Sequence, residues 1–304
     1  MKTLKPSLAT QADSYHTTVL LNEAVAALQL QPGKLYLDAT FGGGGHTRAI
    51  LNAEPTCRVI AFDWDKEAIK HNAEDLIAEF GDRLTVVWGN FAHCYRLLRK
   101  NKITQLDGAL ADFGTSQFQI QNEDGFSFNH DTPLDMRMSK AHHYFSALHV
   151  VNRFEGRQLA KILFEYGEEN HARKIVAAIE QIRTTTPIKT TKQLADIVSK
   201  AVPYKGYQRI HPATRTFQAL RIFVNKELEN IEQFMKSCTP FLATGARFAC
   251  ISFHSLEDRL VKSFFRDNQH LLTPITRKPI TPSEEEIEQN RASRSAKLRV
   301  AEKK

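Results

Sequence analysis

Leu35-Tyr36-Leu37-Asp38-Ala39-Thr40-Phe41-Gly42-Gly43-Gly44-Gly45-His46 is the stretch that decides the fold. A short apolar run closes on an acid and then on consecutive glycines. A second apolar run, Val59-Ile60-Ala61-Phe62, ends in Asp63-Trp64-Asp65. Strand, glycine turn, helix, strand, acid is the order in which a parallel α/β sheet builds a nucleotide pocket. Glycines let the backbone turn sharply and approach a ligand closely. An acid roughly 20 residues on, at the tip of the next strand, takes a ribose hydroxyl pair.

Working outward, apolar runs recur at 35–37, 58–62, 84–88, 108–113 and 247–253. Helical patterns occupy 23–30, 66–79 and 91–100 between the early ones. This alternation predicts a doubly wound parallel sheet. It breaks after Phe113, and from 139 to 208 the pattern is helix only. Leu159, Ile162, Leu163 and Tyr166 keep helical spacing, as do Ala172, Ile175, Val176 and Ile179. Thr190 and Gln193 read as a capping box opening a further helix. A helical subdomain inserted between the fourth and fifth strands is expected. From 213 to 238, Phe217, Leu220, Val224, Leu228, Ile231 and Met235 form one apolar stripe, predicting a single long helix. The tail carries a short strand-like run at 297–301.

Composition sets bounds. The 304 residues hold one or two domains, and 42% apolar content is that of a globular protein. The formal charge of +7 permits a nucleic-acid partner without requiring one. Cys57, Cys94, Cys238 and Cys250 lie far apart with no CxxC spacing, which favours a reducing compartment over a zinc site. No apolar run is long enough to span a membrane. Residues 1–13 are polar and read as a loose terminus. The expected location is the cytoplasm.

The glycine loop selects among cofactors. Counting from Gly42, the third glycine of a dinucleotide fingerprint falls on Thr47; from Gly43 it falls on Arg48. No Gly-Lys-Ser/Thr follows, so the loop is not a P-loop. Asp38, just ahead of the glycines, suits a ligand ammonium better than a pyrophosphate. S-adenosylmethionine, with an ammonium, a sulfonium and no phosphate, fits. A purely structural glycine turn is the alternative.

Further motifs sit where α/β sheets hold ligands. Asp112-Phe113-Gly114 follows the fourth strand, placing Asp112 against the transferring methyl or in a turn. Phe126 and Phe128 in Gly125-Phe126-Ser127-Phe128 suit stacking on an extruded base or plugging a core. Arg137, Arg215 and Arg221 suit phosphate contacts or ordinary solvated faces. His254-Ser255 with Asp258 invites a catalytic-triad reading, but one tight turn rarely supplies all three members. A helix start at Ser255 with Asp258 is the plainer reading. Twelve histidines include no H-E-x-x-H, and no metal is expected.

Taken in order, these blocks resemble the MraW (RsmH) family of bacterial methyltransferases acting on N4 of a small-subunit rRNA cytosine. The resemblance runs from His16-Thr17-Thr18-Val19-Leu20-Leu21 to Ser295-Ala296-Lys297-Leu298-Arg299. The blocks 133–138, 211–221 and 251–259 carry it. It implies a class I S-adenosylmethionine-dependent methyltransferase fold, Rossmann-like and doubly wound, at 14–138 and 209–304. The insertion at 139–208 would recognise substrate. The implied substrate is a decoding-centre cytosine of 16S rRNA within the small ribosomal subunit. Implied cofactor contacts are Gly44, Gly45, His46, Asp63, Phe91, Asp112 and Gln119. Beside the resemblance, the residues themselves offer Phe126, Phe128, Arg137, Arg215, Arg221 and His254 as RNA-facing candidates and Asp112 as the candidate catalytic group. The chain departs from the family at Ser116-Gln117-Phe118-Gln119, at Asp124, at Gly43 and at Asn290-Arg291-Ala292. A non-catalytic RNA-binding protein and a nicotinamide-dependent oxidoreductase remain rival readings of the same fold.

Overall fold

The computed structural model describes residues 18–114, 124–139, 143–202 and 211–304. Its centre is a seven-stranded sheet of order β3-β2-β1-β4-β5-β7-β6. β1 (Leu35–Asp38), β2 (Arg58–Asp63), β3 (Leu84–Trp88), β4 (Leu106–Asp112) and β5 (Leu242–Ser252) run parallel. β7 (Lys297–Lys303) runs antiparallel to β5, and β6 (Leu272–Pro274) antiparallel to β7. β1 pairs with β2 on one side and with β4 on the other. The chain order reverses there, and the carboxyl ends of these strands open a crevice.

Helices cover the sheet. α1 (Leu21–Leu28), α2 (Gly45–Ala53), α3 (Lys66–Phe80) and α4 (Cys94–Lys100) belong to the early alternation. Tyr36, Val59, Ala61, Leu110 and Ile251 pack with α1 and α2 in one buried cluster. Leu37, Ile60, Ala109, Phe248 and Cys250 pack with α4 and later helices in another. Both faces of each central strand are thus buried, which is why these strands read as unbroken apolar runs.

The helix-only stretch forms α5 (Ala147–Arg153), α6 (Gly156–Gly167), α7 (Ala172–Arg183) and α8 (Thr191–Ala201). Thr190 and Gln193 close the capping box at the start of α8. These helices share a core of their own that also takes in Leu134, Met136 and residues of α9 (Thr214–Asn225). The helical body therefore reaches beyond 139–208 at both ends.

The expected single helix over 213–238 is two helices, α9 and α10 (Glu227–Cys238), broken at Lys226 with φ +51°. The break turns the apolar stripe. Leu228 is only half-buried, and Glu227 takes the interior position instead. Two further helices, α11 (Ser255–Asp267) and α12 (Glu284–Gln289), complete the fold. No helix among the described residues is long and apolar enough to cross a membrane.

Candidate active site

Two cavities meet at the carboxyl ends of β1, β4 and β5. The first, about 970 Å³ with its open mouth, is bounded by the glycine loop, Asp63, Phe91 and Asp112. The second is bounded by Phe126, Phe128, Gln218, His254 and Glu257. Asp112 and Gly114 line both.

The glycine loop is held from behind. Asp38 is fully buried and does not reach the first cavity. It accepts from the Thr47 hydroxyl at 2.7 Å and from Thr40 N at 3.1 Å. This corrects the expectation that Asp38 faces a ligand ammonium: the carboxylate anchors the loop. Thr40 Oγ1 in turn accepts from Asp112 N at 2.8 Å, tying the loop to the tip of β4. Gly44 caps α2 at φ +76°, and a Cβ there would lie 2.9 Å from Leu76. The left-handed backbone and the close approach both call for glycine.

Asp63 accepts from Gly42 N at 2.6 Å and Asp65 N at 2.9 Å, so its carboxylate sits under the loop mouth. Burial pushes its pKa up to about 6, against the lowering effect of those two amides. Phe91 opens a short 3-10 turn after β3 and meets Phe113 at 5.9 Å and Phe234 at 5.6 Å. His46 is buried, with Nε2 3.1 Å from Val19 O. Gly45 and His46 line the first cavity with Asp63, Phe91 and Asp112, while Gly44 supports it from behind. Gln119 lies outside the described residues, as do Ser116, Gln117 and Phe118.

Asp112 is the most exceptional group in the site. Its Oδ1 is buried and has no hydrogen-bond partner among the described residues. Burial raises its pKa to about 7; the Gly114 amide lowers it, and Asp38 and Glu257 add to the rise. Two acids with penalised negative charge face one cavity walled by Phe41, Phe91, Phe113 and Trp64. A cationic, partly apolar ligand would relieve that penalty. S-adenosylmethionine has this chemistry, and the residues present fit it. Asp63 and Asp112 both line the cavity that would hold it.

The second cavity contains some of the expected RNA-facing residues and redefines others. Phe126 and Phe128 both line it. Phe128 also stacks on His211 at 4.5 Å and meets Phe217 edge-on at 5.2 Å, so it serves the wall of the helical core too. Arg221 lines the cavity but gives its guanidinium to buried Glu227, Nε at 2.9 Å and Nη2 at 3.0 Å. It is not a surface phosphate contact. Arg137 is engaged by Asp135 at 2.6 and 2.9 Å. Arg215 is exposed and donates to Glu168 O at 3.2 Å, away from both cavities.

His254, not Ser255, is the N-cap of α11, with Glu257 rather than Asp258 as its capping partner. Ser255 Oγ donates to Glu168 Oε2 at 2.9 Å, while Asp258 holds Arg299 at 2.6 and 3.2 Å. The three do not form a catalytic triad. Glu227, His254 and Glu257 bring ligand-type atoms within 4.8 Å of one another. Arg221 already engages both Glu227 oxygens, and Glu257 Oε2 accepts from Phe253 N at 2.7 Å.

Several site residues escaped the sequence. Asn230 and Ile231 of α10 line the first cavity, as do Thr18 and Met138. Asn290, Ala292 and Ser295 line the second. Thr18, Met138 and Ser295 lie in stretches that carry the resemblance, Asn290 and Ala292 in one that departs from it, and Trp64 stands beside Asp63; Asn230 carried no signal.

The model of the MraW methylase family matches residues 13–304. A protein named ribosomal RNA small subunit methyltransferase H from Desulfotalea psychrophila is 48% identical over 295 residues, 96% of this chain and 99% of that one. A protein of the same name from Magnetococcus marinus is 46% identical over 310 residues, 95% and 98% of the two chains. Among solved structures, a putative rRNA-methylase from Clostridium thermocellum is similar with a TM-score of 0.48 at 12% identity, covering 95% of this chain and 100% of that one. On the family match and the identities of the two named relatives, the chain belongs to the MraW methylase family and is an α/β methyltransferase whose methyl donor is S-adenosylmethionine.

Proposed function

We propose that this enzyme methylates N4 of a decoding-centre cytosine in 16S rRNA of the small ribosomal subunit. The observation that carries the reading is Asp112, whose unpartnered buried oxygen stands where the two cavities join. The relatives named as methyltransferases of small-subunit rRNA supply the substrate class.

S-adenosylmethionine, when bound, supplies an electrophilic methyl on sulfur that transfers in line to an electron pair. A cytosine N4 pair is delocalised into its ring and needs orienting. Asp112, accepting an N4–H, localises that pair and is the group at hand for the proton lost as the N–C bond forms. Such positioning and hydrogen bonding contribute about 10²–10⁴ in rate. Phe126 and Phe128 offer aromatic faces for a base taken out of its stack.

The helical body suits an RNA partner. Between 139 and 208 basic residues outnumber acidic ones by eleven to six. Tyr144 is 88% and Phe164 61% exposed, leaving aromatic surface for unstacked nucleotides.

The test is to incubate the enzyme and labelled donor with small subunits from a strain lacking this activity, then map the label. One N4-methylcytosine is expected. Label on a ribose, on a ring carbon or on protein contradicts the reading.

A further inference from the structure

His254 closes β5 and opens α11 at the wall of the second cavity, and nothing so far gives its ring a chemical task. Glu257 N donates to Nδ1 at 3.4 Å, which makes Nδ1 the acceptor and leaves the ring proton on Nε2. The side chain is 10% exposed. Nε2 is buried and makes no hydrogen bond among the described residues. Glu257 Oε1 is 3.2 Å away, but out of line with the N–H.

A cation between Glu227, His254 and Glu257 would need a lone pair at Nε2. The proton there, and the commitments of both carboxylates to Arg221 and to Phe253 N, make this atom a donor instead. A buried donor without an acceptor costs stability unless a ligand completes it. In the same cavity, Asp112 Oδ1 is a buried acceptor without a donor. Gly114 and Phe253 line the same cavity and pack closely, since a Cβ on Gly114 would lie 2.6 Å from the Phe253 ring.

We propose that His254 Nε2–H donates to ring N3 of the target cytosine while Asp112 accepts from its N4 amine, so that the two side chains together read the base. This rests on the base-cavity reading above. Cytosine presents an N–H donor at C4 beside an acceptor at N3. Uracil presents the reverse order, a carbonyl at C4 beside N3–H. In this cavity uracil would set oxygen against carboxylate and N–H against N–H, leaving two buried groups unpaired on each side. His254 is thus a specificity residue, distinct from the group that handles the amine.

The test pairs a missing atom on the base with a missing ring on the enzyme. Small subunits are assembled with cytidine or 3-deazacytidine at the modified position; the analogue keeps the amine and loses the N3 acceptor. His254→Ser replaces the capping Nδ1 with a hydroxyl oxygen that can still accept from Glu257 N, and removes the ring Nε2–H, whose place the short side chain does not reach. The preference for cytidine over 3-deazacytidine, as a ratio of kcat/KM, should be about tenfold or more greater in wild type than in His254→Ser. Comparing the enzymes cancels the analogue's own reactivity. A role in capping alone would slow both substrates equally, and equal preference in the two enzymes overturns the proposal. If the variant turns over too slowly to measure, the same ratio is taken from subunit binding affinities, with the same two outcomes. Wild-type label on anything but a cytosine amine instead overturns the parent reading.

Discussion

Arg221 grips both oxygens of Glu227 across the break between α9 and α10, Nε to Oε1 at 2.9 Å and Nη2 to Oε2 at 3.0 Å. The break at Lys226 is what brings them together, because it turns Glu227 into the interior. Burial raises the Glu227 pKa, and the guanidinium opposes the rise. Arg221→Leu leaves a buried carboxylate uncompensated and should cost about 3–5 kcal/mol of stability. Urea unfolding checks this, and adding Glu227→Gln should recover most of the loss. If Arg221→Leu instead weakens RNA binding at unchanged stability, the arginine is a phosphate contact after all.

Asp63 and Asp112 make donor binding depend on pH. With pKa values raised to about 6 and about 7, both hold protons in the ligand-free fold that the unfolded chain releases near pH 4. The folded state binds more protons across about pH 4 to 7, so its stability falls as pH rises through that window. Binding a cation reverses the preference by favouring the ionised acids. Affinity for S-adenosylmethionine should therefore rise with pH over the same range, and binding at about pH 6 should release protons. Calorimetry in buffers of different ionisation enthalpy reads this directly. Affinity that is flat with pH, with no proton release, would show that neither acid faces the cationic part of the donor.

Gly44→Ala should damage the loop twice. The backbone sits at φ +76°, and the new methyl would lie 2.9 Å from Leu76 and 3.1 Å from Phe41. A stability loss of about 1–2 kcal/mol is expected from the left-handed conformation. Donor affinity should fall at least about tenfold as the loop shifts. Thermal unfolding together with calorimetry measures both, and an unchanged donor affinity would mean that the loop does not shape the pocket.

Thr47→Val tests the rear support. It removes the 2.7 Å bond to Asp38 and leaves that fully buried carboxylate with one fewer donor. Donor affinity should weaken although neither residue lines the cavity. A variant with lowered stability and wild-type affinity would show that Asp38 serves the core and not the loop.

The sheet was legible because parallel strands buried on both faces leave apolar runs, and β1 to β5 each lie on one of the predicted runs. β6 was not: three residues ending in Pro274 at the sheet edge carry no periodicity. The Lys226 break escaped because apolar offsets of three and four continue across it, from Val224 to Leu228, although Leu228 is half-buried. Asp63 was legible through its distance from the glycines. Asp38 was misread because sequence places an acid near a loop without saying which side of the loop it faces. Asn230 carries no motif, and Ser295 stood only in a family block with no role attached; the packing of α10 and the tail against the cavities is what brings them there. The His254 cap was missed because serine is the commoner helix opener and stands one residue later.

The most direct measurement of the account is single-turnover methyl transfer by Asp112→Asn with saturating donor and small subunits, alongside calorimetry of donor binding. The account predicts that the variant still folds and binds S-adenosylmethionine but transfers methyl about 10²–10⁴-fold more slowly, because an amide accepts the N4–H weakly and takes up no proton. A variant with bound donor and the wild-type transfer rate would contradict the claim that Asp112 joins the two cavities chemically.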